Sequence, residues 1–544
     1  MSHFYHLSNI KIPVTEDTAK RIKKALQRLL ELPAEDIVRF TVLKKSLDAR
    51  KKPHLFYVYA VEAETKKLSK ATPGQNLKPA EIPEQKFIKP ADLNKTVQTK
   101  DQAPVIVIGA GPAGYFSALA LAEAGVKVTV LERGKPVETR MKDIGALRSG
   151  GELNPESNIC FGEGGAGAYT DGKLYSRIKH PFVAWVMKRF VDFGAPEDIL
   201  SDAHPHLGTD RLVNIIKALR EHLETLGVKI RFQTKVENIL FQEDRVCGVK
   251  LENGEELRTD KVVLAVGHSA RDTLENLERS GVLIEAKSFA VGLRAEHPQE
   301  WVDKRQYGRS NCAKQVGAAA YQLAEQVNDQ RLGKRGIYSF CMCPGGFIVP
   351  SPTEEGYMAI NGMSNANRST PFANSGVVAQ ITPEDLIAEG YQDSPLIGIQ
   401  FQRDLEKAAF EATKQPYAAP AMKITDFVTR KPGGMLADSN FRPAAEAVDL
   451  WEIIPAWVAN ALVKGLRNFD QKMKGYISAQ ANLFAIESRT SSPVRILRDE
   501  KGMSVKYKGL YPAGEGAGYA GGIVSAAVDG LVIAGHIINM LQEE

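Results

Sequence analysis

The sequence predicts an α/β protein: a parallel sheet flanked by helices and a small antiparallel sheet, with an inserted α+β domain and a small N-terminal α+β domain. Three stretches carry that prediction. Residues 104–134 read strand, glycine turn, helix, strand and acid without a break. Residues 262–267, after Lys261, form a second wholly apolar strand ending in glycine, and residues 509–525 repeat the strand, glycine-rich turn and helix order near the C-terminus.

The first stretch is the most informative. Val105 to Ile108 are consecutive β-branched residues, as expected of a strand buried on both faces of a parallel sheet. Gly109, Gly111 and Gly114 follow at G-x-G-x-x-G spacing, with Pro112 and Ala113 between them. In that pattern the first glycine permits a tight turn, the second lets backbone approach a pyrophosphate, and the third lets the helix pack close to the strand. Ala113 to Ala124 are small and helix-favouring, and Gly125 is placed to end the helix. Lys127 to Leu131 form the next strand and deliver Glu132 about 20 residues past the glycines, where a carboxylate can hold a ribose hydroxyl. This full context favours a dinucleotide site over a structural glycine turn.

Composition frames the rest. The chain has 544 residues, 43% hydrophobic and 25% charged, which suits a multi-domain soluble protein with ample core. The two longest apolar runs, 105–122 and 519–534, are broken by glycines, so no membrane span is expected. Met1-Ser-His-Phe-Tyr-His lacks the cationic and apolar regions of a secretory signal. The five cysteines are scattered and odd in number, which argues against a disulfide framework and for a cytoplasmic setting.

Residues 1–65 read as a small basic domain. Tyr5 to Ile12 form a strand, and Thr15, Glu16 and Asp17 are placed to cap a helix whose apolar positions are Ala19, Ile22, Leu26, Leu29 and Leu30. Two further strands, 37–46 and 54–62, flank a basic turn. Residues 1–70 hold fifteen Lys or Arg against eight Asp or Glu. That surface is either a solvated face on a docking domain, the reading favoured here, or a nucleic-acid contact; no aromatic sheet motif or base-reading helix supports the second. Residues 66–103 are rich in Lys, Gln and Pro and read as a linker, with Phe87 and Ile88 able to pin it to a neighbour.

Residues 104–289 form the first part of the nucleotide domain. Within it, Cys160 to Lys173 interleave glycine with Phe, Tyr and Lys, and Gly164, Gly165 and Gly167 would let backbone amides approach an anion or a flat ring. A flexible surface loop is the alternative. Asp171 reads as a turn former. Residues 209–226 form a helix, followed by strands 228–232, 236–241 and 245–251. The 261–266 strand then brings Gly267 beside the nucleotide. Residues 290–475, with mixed strands and the helices 396–410 and 458–473, read as a substrate or cap domain. Residues 476–544 return to the nucleotide domain, and Gly514, Glu515, Gly521, Gly522 and Ile523 lead into a helix whose free amides suit negative charge.

The fingerprint, the mid-chain strand and the late Gly514-Glu515 together follow the pattern of FAD-dependent oxidoreductases of the second glutathione-reductase class. The chain most resembles the bacterial family of uncharacterised FAD-dependent dehydrogenases. The residues that carry the likeness are Phe161-Gly-Glu-Gly-Gly-Ala-Gly, His206-Leu-Gly-Thr-Asp, Gly267-His-Ser-Ala-Arg-Asp, Cys341-Met-Cys-Pro-Gly-Gly and Glu487-Ser-Arg-Thr-Ser-Ser-Pro. The resemblance implies a Rossmann-like FAD-binding domain. In it Gly109, Gly111 and Gly114 face the pyrophosphate, Glu132 with Arg133 meets the adenosine, and Val236 offers backbone to the adenine. Glu515 meets the ribityl chain or pyrophosphate, and Gly521, Gly522 and Ile523 lie along the N1/O2 edge of the isoalloxazine.

The implied function is hydride transfer between a small organic substrate and FAD. One dinucleotide fingerprint is present and no second one, so NADPH or NADH would act only as a transient donor. The alternative is a flavoprotein recruited to RNA or to a protein partner by its basic N-terminal domain. Arg489 could clamp a substrate carboxylate, or pair with Glu487 or another acid. His268 could exchange protons near the nucleotide or serve structure. Lys173 could reach phosphate or flavin. Cys341 and Cys343, a C-x-C pair, read as buried small hydrophobes whose thiols share a face if the segment is extended. No metal site is expected.

Overall fold

The computed structural model describes residues 2–80, 93–97, 103–169 and 172–543. The expectations for Phe87, Ile88 and Asp171 lie outside the described residues.

The N-terminal unit is a four-stranded antiparallel sheet, in the order Ile37–Asp48, Phe56–Thr65, His3–Pro13, Leu77–Ala80. One helix, Ala19–Leu30, covers it through Ile22, Leu26 and Leu30. Thr18 caps this helix by accepting from the Arg21 amide, in place of the expected 15–17 group. Asp17 instead accepts from the Tyr59 hydroxyl and pairs with Lys45 at 2.7 Å. The fourth strand shortens the expected linker, because Leu77–Ala80 pairs with Phe4–Leu7. The unit docks on the body where the Lys45 amide donates to the Ser201 carbonyl and Lys45's own carbonyl accepts from Ala203.

The nucleotide domain is built on five parallel strands. Their order is Leu510–Pro512, Val262–Leu264, Val105–Ile108, Val128–Leu131 and Lys229–Arg231. The fingerprint strand sits in the centre, which explains its unbroken β-branched run. Beside the sheet lies the expected small antiparallel sheet of Val236–Gln242, Arg245–Leu251 and Glu256–Arg258. The fingerprint helix Pro112–Glu123 packs against the C-terminal helix Ile523–Glu543. Their backbones touch at Gly530, where an added Cβ would lie 2.2 Å from the Ala113 carbonyl oxygen. Among the described residues Ile523–Glu543 alone is long and apolar enough to cross a membrane. Its Val524, Leu531, Ile537 and Ile538 are buried in the core formed with the fingerprint helix.

The inserted domain is a seven-stranded mixed sheet covered by the helices Ile397–Glu411 and Ala456–Lys472. Its boundary departs from the sequence expectation. Asn482–Glu487, assigned by sequence to the returning nucleotide domain, pairs with Phe289–Pro298 in the middle of the inserted sheet. That pairing is set by contacts nearly two hundred residues apart, which local periodicity does not encode.

Candidate functional site

The parallel strands end at a cleft of about 360 Å³, with the glycine turns on one side and the inserted sheet on the other. The three fingerprint glycines hold different positions in it. Gly109 has φ +103°, and a Cβ there would lie 2.4 Å from the Ala265 carbonyl oxygen. A Cβ on Gly114 would lie 1.9 Å from the Gly109 carbonyl oxygen, so this glycine sets the helix-to-strand distance and lies outside the cleft wall. A Cβ on Gly111 would enter the cleft, with only the Gly165 Cα as near as 3.9 Å. Pro112 and Ala113 begin the helix whose free amides open here.

Glu132 lines the cleft at the end of its strand, and its carboxylate is already engaged. One oxygen accepts from the Ala110 amide at 2.8 Å; the other accepts from Gly134 at 2.9 Å and Gly162 at 3.1 Å. It therefore ties the fingerprint turn to the glycine loop. Arg133 lies 4.1 Å over the Phe161 ring and bridges Glu156 and Asp272, with Lys235 joining the same two acids. Burial would raise the Asp272 carboxyl, but Arg133 and Lys235 hold it down to about 2. Val236 and Gly267 line the same end of the cleft, and a Cβ on Gly267 would meet nothing within 4 Å.

The glycine loop is a built structure. The fully buried Arg140, from the helix Val137–Arg148, places its guanidinium within 2.6–3.1 Å of the carbonyls of Asn158, Ile159, Gly162, Glu163 and Gly165. Burial lowers the Arg140 pKa from its ordinary value. Glu163 braces the loop from beneath, accepting from the Tyr115 hydroxyl, the Val137 amide and Arg220. Gly165 and Gly167 line the cleft, whereas Gly164 does not: a Cβ there would lie 2.5 Å from Ile216 Cδ1. The expectation that Gly164 meets the cofactor is corrected to a packing role against the helix Thr209–Thr225.

At the other end, Gly514 has φ +74°, and its amide donates to Asp529 at 2.7 Å. Glu515 lies 3.7 Å from His268 Nδ1, and both line the cleft. Gly521 and Gly522 have open space where a Cβ would go, and Ile523 starts the C-terminal helix.

Arg489 lines the cleft, but its fork is spent. Nε and Nη2 meet the two carboxylate oxygens of Glu406 at 3.0 and 2.7 Å, and Nη1 donates to Thr353 at 2.8 Å. The open choice between substrate clamp and ion pair thus resolves to the ion pair, with Glu406 as the acid. Glu487 is taken by Arg294 at 2.7 and 3.1 Å. Glu406 also receives Arg271 and the Ser488 hydroxyl. Burial opposes its charge, yet the two guanidiniums hold its pKa well below the carboxylate range. Sequence reasoning does not single out Arg140, Arg271 or Glu406, since nothing local marks their partners. Among the described residues no cluster of His, Cys, Asp and Glu could hold a metal.

The parallel sheet, the glycine fingerprint and the cleft at the strand ends define a dinucleotide-binding protein. Its Rossmann region matches the HI0933-like protein Rossmann domain over residues 103–275, and the inserted region matches the FAD-dependent protein C-terminal domain over 288–490. A domain of unknown function matches residues 5–64. An uncharacterised protein of Clostridium beijerinckii is 40% identical over 535 residues, 98% of each chain. The chain belongs to this family of FAD-dependent proteins. Solved structures overlap it more loosely. A mutant of halogenase PltM in complex with FAD is 11% identical over 81% of this chain and 70% of that one, with TM-score 0.35. The GidA-related protein from Thermus thermophilus is 18% identical over 35% of this chain and 72% of that one, with TM-score 0.22. FAD is the cofactor of the family, and the cleft fits it: Gly111, Gly267, Gly521 and Gly522 line a cradle that side chains would fill.

Proposed function

We propose that the chain is an FAD-dependent oxidoreductase that moves a hydride between a small organic substrate and the flavin. The observation that carries this is a single cleft shared by two walls. The fingerprint turn and the C-terminal helix line one side, while Phe340, Cys341 and Asn361 of the inserted domain line the other. A substrate held against the inserted wall is thereby placed beside whatever the nucleotide wall binds.

Bound FAD supplies the two-electron chemistry; the chain binds, orients and excludes water. Gly109, Gly111, Pro112 and Ala113 would hold the pyrophosphate at the helix N-terminus. Glu132 retains lone pairs for a ribose hydroxyl beside its three amide bonds, and Arg133 and Val236 would border the adenosine. Glu515 would accept from the ribityl hydroxyls, with His268 Nδ1 3.7 Å from its carboxylate. Gly521, Gly522 and Ile523, at the start of the C-terminal helix, would offer its free amides to the flavin. Gly165, Gly167 and Lys173 close the cleft from the glycine loop. NADPH or NADH would act as a visiting donor, since the chain has one dinucleotide fingerprint.

Anaerobic titration of the purified protein with NADPH and then NADH, read by flavin absorbance, tests the reading. Bleaching by either assigns a nicotinamide donor; bleaching only by an organic metabolite assigns a dehydrogenase. A chain that retains no flavin after reconstitution with FAD overturns the proposal.

A further inference from the structure

We propose that Cys341 and Cys343 are a redox-active thiol pair that exchanges two electrons with FAD in the same cleft, a step that rests on the oxidoreductase reading above. The two sulfurs are unequal. Cys341 lines the cleft, and Cys343 is fully buried behind it. In a regular strand the two side chains would stand side by side, held apart by the pleat. Here the ladder slips between Phe340 and Cys343, and Cys341 adopts a left-handed φ of +43°. The chain curls so that Cys343 Sγ comes 3.3 Å from the carbonyl oxygen of Cys341. A non-glycine residue in that conformation, at the wall of a cleft, is the kind of outlier that concentrates at functional sites.

One cation serves both sulfurs. Lys173 Nζ lies 3.8 Å from Cys341 Sγ and 4.0 Å from Cys343 Sγ, and it donates to the Met342 carbonyl between them. An ammonium beside a thiol favours the thiolate, the reactive form. Beneath the turn, the buried Arg294 holds the Cys341 carbonyl at 3.3 Å while anchored on Glu487. A pair of buried apolar cysteines would need neither cation.

The step balances within the site. As the S–S bond forms between Cys341 and Cys343, the two thiols lose two protons and two electrons. Bound FAD would be the acceptor of both electrons and both protons, giving FADH2. The reverse step breaks the S–S bond and returns two thiols and oxidised FAD.

Anaerobic dithionite titration of air-oxidised, FAD-loaded full-length protein tests this. Four electrons per chain are expected, two for flavin and two for the disulfide. The capacity should fall to two in Cys341→Ser and in Cys343→Ser and remain four in Cys160→Ser. A second readout needs no variant: iodoacetamide labelling in denaturant, followed by peptide mass spectrometry. The peptide bearing both cysteines should be unlabelled before reduction and doubly labelled after it. A two-electron capacity with both thiols labelled before reduction overturns the pair, as does a four-electron capacity that survives both serine variants at 341 and 343. If no flavin binds, the oxidoreductase reading fails, and the labelling still decides whether the two sulfurs join.

Discussion

Arg489 and Glu406 form a two-pronged ion pair at 3.0 and 2.7 Å inside the protein, 83 residues apart in sequence, with Arg271 on the same carboxylate. Glu406→Gln would leave two buried guanidiniums facing each other without their shared counter-charge. Breaking a buried pair in this way costs about 3–5 kcal/mol. We expect a large fall in Tm by differential scanning fluorimetry, larger than that of an exposed pair such as Arg231–Glu255 broken by Glu255→Gln, which water and salt screen.

The fingerprint glycines separate folding from cofactor binding. Gly111→Glu fills open cleft and should give folded, colourless protein, because side chain and charge occupy the pyrophosphate position. Gly109→Ala should instead lower stability, since its Cβ meets the Ala265 carbonyl at a left-handed φ. Circular dichroism melts beside flavin absorbance distinguish the two. Stoichiometric yellow FAD in Gly111→Glu would refute this docking of the fingerprint.

Arg140→Met should loosen the glycine loop. Four buried carbonyls and the half-buried Gly165 carbonyl lose their shared donor, and each unsatisfied buried group costs about 1–3 kcal/mol before relaxation. Limited proteolysis within residues 156–168 and loss of retained FAD are the expected readouts. Arg140→Lys should not restore the wild type, because one ammonium lacks the planar fork.

Glu296 and His297 set opposing pH dependences. Burial pushes the Glu296 carboxyl up to about 7 and the His297 imidazole down to about 4. Between the ordinary Glu range and about 7, the folded chain holds a proton on Glu296 that the unfolded chain has lost, so this group's stability falls as pH rises. Between about 4 and the ordinary His range, the unfolded chain binds a proton on His297 that the folded chain does not, so that group's stability rises with pH. In the wild type the two slopes oppose each other across the shared window. Glu296→Gln removes one of them, and urea midpoints should then climb from pH 4.5 to 6.5. A profile unchanged by the substitution would contradict the buried, charge-poor setting assigned to Glu296.

Much of the nucleotide domain is legible in the sequence because its signals are local. The β-branched strand, the three glycines and the acid at the next strand end all lie within about thirty residues, and each follows from a backbone or packing need. The helix Ala19–Leu30 is legible from its apolar spacing, although its cap lies at Thr18. Other readings fail where distance enters. Leu77–Ala80 reads as linker because a four-residue edge strand carries no periodic signature. Asn482–Glu487 reads as part of the wrong domain because its partner strand is the remote Phe289–Pro298. Gly164 reads as a cofactor contact because composition alone does not say which glycine of a loop turns toward a helix.

What the sequence by itself determined, then, is the nucleotide-binding half: torsional preference, period and glycine spacing encode it within single elements. What only the tertiary structure decided is which charges and thiols meet. Arg489 finds Glu406, Arg140 gathers the loop carbonyls, and Lys173 reaches the sulfurs of Cys341 and Cys343 from about 170 residues away. Those partnerships arise when folding closes long loops and buries polar groups together. A buried charge must then be paired or hydrogen-bonded with whatever the fold brings alongside.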